Sequence, residues 1–290
     1  MFKSGFITMI GRANVGKSTL LNAFLEQKVS IVSDKPNTTK KQILGIYNDE
    51  NCQLVFVDTP GFFYKKISDS ASKINFVILK NIDEIDIILF LVNEECSNKD
   101  KEFLTFLQKY QKKIILVISK MDLLKRKILI DKIILSYLKY FKFEAVIPVS
   151  SLINKNLSIL KGQILNLLES KTPYFPRNTI TNLSQKEIIV ELLREKLFFY
   201  LDKELPHVCR IFLEKINFIK EKDLNEIYIS ILVPKLSQKK ILIGKEGSQL
   251  KKIRLAAQKD IQKNLKMKNY LNLWVKTDDI RNNNKRLTYK

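Results

Sequence analysis

The residue types that could do chemistry in this chain fall in a few short stretches. Gly11, Arg12, Ala13, Asn14, Val15, Gly16, Lys17, Ser18 and Thr19 form a Gly-x4-Gly-Lys-Ser-Thr run behind the apolar segment 5–10. Leu20, Leu21, Phe24 and Leu25 then take up helical spacing, so the run reads as strand, loop and helix. Such a loop captures anions: its glycines let backbone N–H groups crowd around phosphate oxygens, and the new helix adds its own free N–H groups and positive dipole end. Lys17 is expected to reach the β- and γ-phosphates, and Ser18 to ligate Mg²⁺. About forty residues on, the apolar run 53–57 ends in Asp58-Thr59-Pro60-Gly61. A carboxylate there suits Mg²⁺ held through water, and Gly61 can bring its N–H to a γ-phosphate. Two further strand-like runs end in Ser119-Lys120-Met121-Asp122 and in Ser150-Ser151.

These stretches need elements to hold them. Strand-like runs at 5–10, 42–47, 53–57, 85–92, 114–118 and 145–149 alternate with helical stretches near 70–82, 99–110 and 126–140. Residues 48–51, Asn-Asp-Glu-Asn, read as a hairpin turn between the second and third strands. The pattern predicts an α/β, doubly wound and mostly parallel sheet with its ligand at the carboxyl ends of the strands. Proline and small polar residues then break the periodicity over 170–184. A first domain is therefore expected at 1–172, a linker at 173–184, a smaller α+β domain at 185–277 and a tail at 278–290.

In that second domain a helix is expected over 185–201, with Ser184 as its cap and Glu187 three residues on. An antiparallel strand pair follows at 208–218 and 226–233, then a short helix, the turn Gly244-Lys245-Glu246-Gly247, a helix to about 265 and a strand at 270–275. Net charge is +21, and residues 235–268 alone hold 11 basic and 2 acidic side chains. A focused charge of this kind favours an anionic partner.

The order phosphate loop, Thr-Thr loop, Asp-Thr-Pro-Gly, Lys-x-Asp and Ser-Ser resembles the translation-factor-related GTPases. Helix, two strands, helix, Gly-x-x-Gly, helix, strand resembles a type II KH domain. Together, with 193–197 (Leu-Arg-Glu-Lys-Leu) and 204–206 (Glu-Leu-Pro), the chain resembles the Era-like GTPases over nearly its whole length. The resemblance implies GTP and GDP as ligands, with Asp122 reading guanine N1–H and its exocyclic amine, Lys120 along the base plane, and Ser150 and Ser151 presenting N–H groups to the guanine oxygen. It implies Mg²⁺ held by Ser18, by Thr39 or Thr38, and by Asp58. It also implies hydrolysis of GTP to GDP and phosphate, with Lys17, Asn14, Thr39 and Gly61 around the reacting phosphate and Asn14 holding K⁺. Phe62 stands where Ras-like enzymes carry a water-orienting Gln, so slow intrinsic hydrolysis is expected. Ser119 departs from the family's Asn, and a weaker tie between base and phosphate loop is expected. Ala13 stands for the usual Pro, and Asn154 for a Gly.

In the KH-like part, Gly244 and Gly247 would let the backbone approach about four nucleotides of single-stranded RNA. Lys239, Lys240, Lys245, Lys251, Lys252 and Arg254 would face phosphates, while Glu246 stands where the family often has a basic residue. The partners implied are the 3′ end of small-subunit rRNA and the small ribosomal subunit, for a protein expected to be a cytoplasmic monomer, with peripheral association with the inner membrane as a further expectation. Cys52, Cys96 and Cys209 lie far apart, which argues against a disulfide framework or a zinc site. His207 is expected to be structural and Trp274 to pack in a core.

Overall fold

The structure is a computed structural model and describes residues 1–30, 43–58, 82–124, 127–169, 171–202 and 204–277; the side chains of Asp58 and Lys127 are outside what is described. The helical stretch expected near 70–82 lies almost wholly outside these residues, as do Thr38, Thr39, Thr59, Pro60, Gly61, Phe62 and the tail 278–290. The chain divides into two units, Met1–Asn182 and Leu183–Lys290.

In the first unit, strands β1 (Lys3–Gly11), β2 (Ile43–Asn48), β3 (Cys52–Asp58), β4 (Ile87–Val92), β5 (Lys113–Ile118) and β6 (Ala145–Pro148) form one sheet of order β2-β3-β1-β4-β5-β6. All pairings are parallel except β2 with β3, the hairpin that residues 48–51 turn. The sheet is buried on both faces, which is why its inner strands read as unbroken apolar runs. Along β4, Ile87, Leu89 and Leu91 point to one core, with α1 (Lys17–Leu25) and α4 (Leu157–Leu167). Ile88, Phe90 and Val92 point to the other, with α2 (Asn98–Gln108) and α3 (Lys127–Leu138). Helix α4 has no counterpart in the periodicity read above; it buries Leu160 and Ile164 fully, with Leu157, Leu165 and Leu167 packed beside them.

The stretch 171–182 is anchored to this unit. Gln53, fully buried, accepts from the N–H groups of Tyr174 and Phe175 at 2.7 and 3.0 Å and donates to Phe175 O at 2.8 Å. Thr181 bridges Gly45 on the outer side of β2, and Ile46 N–H donates to Ile180 O at 2.7 Å. Covering the edge strand satisfies backbone groups that would otherwise face water or another chain.

The second unit packs α5 (Gln185–Tyr200), α7 (Leu236–Ile243) and α8 (Ser248–Leu265) on one face of a three-stranded sheet. Its strands are β7 (Arg210–Ile219), β8 (Leu224–Val233) and β9 (Asn269–Thr277), in that order, β7–β8 antiparallel and β8–β9 parallel. A short α6 (Leu205–Val208) precedes β7. Ser184 caps α5 with Glu187 in a full capping box. Inward residues alternate along β8: Ile227, Ile229, Ile231 and Val233. Trp274 corrects an expectation. It is 48% exposed and lies stacked on Tyr228 with centroids 5.6 Å apart, because it alternates with the buried Leu271 and Val275 side of β9 and so falls on the sheet's open face. His207 packs edge-on to the Phe198 ring at 4.8 Å.

Candidate nucleotide and RNA sites

Strand β1 delivers the chain into the phosphate loop between β3 and β4, with Met9 opposite Asp58 and Gly11 opposite Leu91. Gly11 admits no side chain: a Cβ there would collide with the Leu91 carbonyl oxygen and meet Val15 Cγ1 at 3.0 Å. Gly16 has φ of +104°, and Asn14, at φ 62°, takes the left-handed conformation that asparagine tolerates best among non-glycine residues. Val15 is buried beneath the loop. The ammonium of Lys17 donates to the carbonyls of Gly11 and Arg12, at 2.9 Å each, which holds it along the loop; the side chain is 8% exposed. Ser18 follows in the first turn of α1, whose cap, Gly16, offers no side chain to its N–H groups. The result is a cradle with N–H donors and one fixed cation, which fits the phosphates of a nucleotide.

The second part of the site lies at the ends of β5 and β6. Ser119, nearly buried, keeps a tie to the phosphate loop through its shorter side chain: its hydroxyl lies 2.6 Å from Val15 O and 3.1 Å from Val92 O. A hydroxyl has one proton, so it serves one of these carbonyls at a time or shares it. Lys120, at φ 54°, runs toward the loop, its Cε 3.9 Å from where a Cβ on Gly16 would stand. Asp122 is exposed in the turn Met121–Leu123, which Met121 N–H ties to Val149 O at 3.1 Å.

Of the pair expected to donate to guanine, Ser150 spends its N–H on Lys155 O at 3.1 Å, leaving Ser151 for that role. Ser150 Oγ is buried with no hydrogen-bond partner among the described residues. Asn154 adopts φ 52°, the conformation that made it an acceptable substitute for glycine.

Two residues that bond to these stretches escaped the sequence reading. Asn156 donates to Pro148 O at 2.7 Å and also contacts Met121 Sδ, joining the Asp122 turn to the end of β6. Asp100, on α2, binds the Arg12 side chain. Neither belongs to a spacing pattern, so only the folded chain brings them in. The described residues hold no cluster of three or more His, Cys, Asp or Glu that could bind a metal. Burial, with Asp49 adjacent, pushes the Cys52 thiol up to about 12, and burial raises that of Cys96, so both stay protonated near neutrality.

In the second unit Gly244 (φ 77°) ends α7 and Gly247 (φ 76°) starts α8. A Cβ on Gly244 would press on Gln249 N at 2.9 Å, whereas one on Gly247 would meet nothing within 4 Å, so the backbone at Gly247 is open to a close neighbour. Between them Glu246 is left-handed at φ 52°. Lys240, Lys245, Lys251 and Lys252 are exposed, and Lys239 is half-buried. Arg254 lies over the Tyr270 ring at 5.1 Å and donates to Gln258 Oε1 at 3.3 Å.

Comparison with known proteins finds relatives for both units. Residues 6–120 match the family described as 50S ribosome-binding GTPase, and residues 208–280 match the KH domain. The chain is 38% identical over 290 residues to GTPase Era of Geotalea daltonii, covering 99% of this chain and 96% of that protein. It is 37% identical over 277 residues to GTPase Era of Thermoanaerobacter pseudethanolicus, covering 95% and 91%. An Era variant from Aquifex aeolicus bound to GDP·AlF4⁻ superposes with TM-score 0.85 at 32% identity, covering 99% of this chain and 98% of that one. Era in complex with MgGDPNP and nucleotides 1506–1542 of 16S ribosomal RNA does so with TM-score 0.85 at 33% identity and the same coverage. With a phosphate cradle, a carboxylate-bearing base turn and a Gly-x-x-Gly clamp in one chain that matches these relatives end to end, the protein is a GTPase with a KH domain and belongs to the Era family.

Proposed function

We propose that this protein uses GTP to control RNA binding during assembly of the small ribosomal subunit, its KH domain holding the 3′-end region of the small-subunit rRNA. The observation that carries this reading is the pairing in one chain of a guanine-type nucleotide site with a Gly-x-x-Gly clamp whose approach at Gly247 is open. A relative that covers the same length was solved with both a GTP analogue and 16S rRNA nucleotides, which supports the rRNA over other RNAs. The broader family's description names the 50S subunit; 16S rRNA belongs to the small one.

In this reading Gly11–Thr19 hold the phosphates and Lys17 neutralises charge on the β- and γ-oxygens. Asp122 accepts from guanine, and adenine would leave its carboxylate facing no donor. Ser151 donates to the guanine oxygen, and Lys120 lies along the base. Ser18, Asp58 and Thr39 or Thr38 hold Mg²⁺, which when bound offsets phosphate charge; Asn14 holds K⁺. Phe62 cannot orient water through a side-chain hydrogen bond, so the unassisted rate is slow and is raised by the RNA or the cation. Lys240, Lys245, Lys251 and Lys252 offset RNA phosphates beside the clamp.

Single-turnover GTP hydrolysis in potassium and in sodium buffer, with and without an oligonucleotide copying the rRNA 3′ end, tests this. Stimulation by the oligonucleotide is expected, with a lower rate in sodium. A background rate in every arm, with RNA bound, would leave the chain as an RNA-binding protein carrying an uncoupled nucleotide site.

A further inference from the structure

Arg12 sits within the phosphate loop, yet its guanidinium turns away from the cradle toward the N-terminus of α2. Its Nε and Nη2 donate to the two carboxylate oxygens of Asp100, at 3.3 and 2.5 Å. Nη2 also reaches Ser97 Oγ at 2.7 Å, and Nη1 pairs with Glu94 at 2.9 Å. Asp100 is 1% exposed and accepts as well from Ser97 N–H, Ser97 Oγ and the Tyr137 hydroxyl. A carboxylate this deep holds its charge only because these donors surround it. Ser97 and Asp100 form the capping box of α2, so Asp100 is held by its own helix as well as by Arg12.

Within the loop Val15 N–H donates to Arg12 O at 3.4 Å, and Val15 O accepts from the Ser119 hydroxyl at 2.6 Å. The same Arg12 carbonyl accepts from Lys17 Nζ. Arg12 therefore joins two things in one residue, a side chain moored to a buried carboxylate and a carbonyl that sets where the phosphate-binding cation stands.

We infer that Arg12 and Asp100 are a positioning pair, which moors the phosphate loop to the capping box of α2 and so pre-forms the cradle and the direction of Lys17. A fork of two N–H groups on one carboxylate fixes orientation as well as distance, which a single point charge cannot. The inference rests on Gly11–Thr19 being the phosphate site, and the test separates the two.

Affinity for fluorescent methylanthraniloyl-GDP and for GTP is measured on the full chain, with thermal stability recorded for each variant. Arg12→Gln and Asp100→Asn are each expected to weaken binding about tenfold, and the double variant by no more than either alone, because both break one link. Arg12→Lys should fall between. Tyr137→Phe removes a different bond to the same carboxylate and should lower the melting temperature while leaving affinity within about twofold. Binding by Arg12→Gln within twofold of the unaltered chain overturns the inference; so do effects that multiply in the double variant, or a Tyr137→Phe loss as large as that of Arg12→Gln. If Asp100→Asn does not fold, the contrast between Arg12→Gln and Tyr137→Phe decides alone. Lys17→Ala is the separate control: unchanged nucleotide binding there would remove the phosphate-site reading and the inference with it.

Discussion

Ser119 stands where the resembling GTPases carry asparagine, and its hydroxyl does part of what the longer amide would do. It reaches Val15 O from the end of β5, so the base turn and the phosphate loop remain joined. A neutral hydrogen bond of this kind is worth about 0.5–1.5 kcal/mol. Ser119→Ala should therefore weaken GTP binding about threefold to tenfold with its preference over ATP intact, as competition titration would read. Asp49, in the turn between β2 and β3, makes a pH-dependent contribution. Burial alone would raise its carboxyl, but hydrogen bonds from Lys161 and from Asn51 N–H prevail and lower it from 3.8 to about 2. A lowered folded value means that the stabilisation is complete above the unfolded value and fades as pH falls through the folded one. The melting-temperature advantage of the unaltered chain over Asp49→Asn should be full at pH 5 and shrink between about pH 4 and pH 2.

Elements were the most legible level, and the reason is periodicity. Strands buried on both faces announce themselves as apolar runs, and a capping box such as Ser184 with Glu187 marks a helix start with two residues that bond reciprocally. What stayed hidden depends on tertiary neighbours. Trp274 reads as core from its strand, yet lies on the open face, since alternation gives two faces and not which one is covered. The bonds of Asp100 to Arg12 and of Asn156 to Pro148 O arise only through folding. The anchoring of 171–182 to β2 was equally unreadable, because Gln53 looks like any polar strand residue until its amide is seen joining Asn48 and Phe175. Gln53→Ala would strand the N–H groups of Tyr174 and Phe175, each costing about 1–3 kcal/mol if it remains buried. Faster proteolytic cleavage within 171–182 is expected, together with a lower melting temperature. Cleavage at the rate of the unaltered chain would show that Gln53 does not hold this segment.

For the whole molecule, charge and switching decide the account. The basic excess is focused near the clamp, and single-strand binding depends on salt with a slope of about −0.7 per neutralised phosphate. Replacing Lys245, Lys251 and Lys252 by Gln together should reduce the magnitude of that slope by about 2. An unchanged slope would move the RNA elsewhere on the chain. GTP can govern RNA release only if the two nucleotide states differ in RNA affinity, and the coupling is reciprocal: RNA must then favour GTP by the same factor. The most direct measurement is the affinity of a labelled oligonucleotide copying the rRNA 3′ end, titrated with the full chain in a non-hydrolysable GTP analogue and again in GDP. The account predicts binding about fivefold or more tighter with the analogue, the low end of ordinary allosteric coupling. Equal affinity in both states would contradict it.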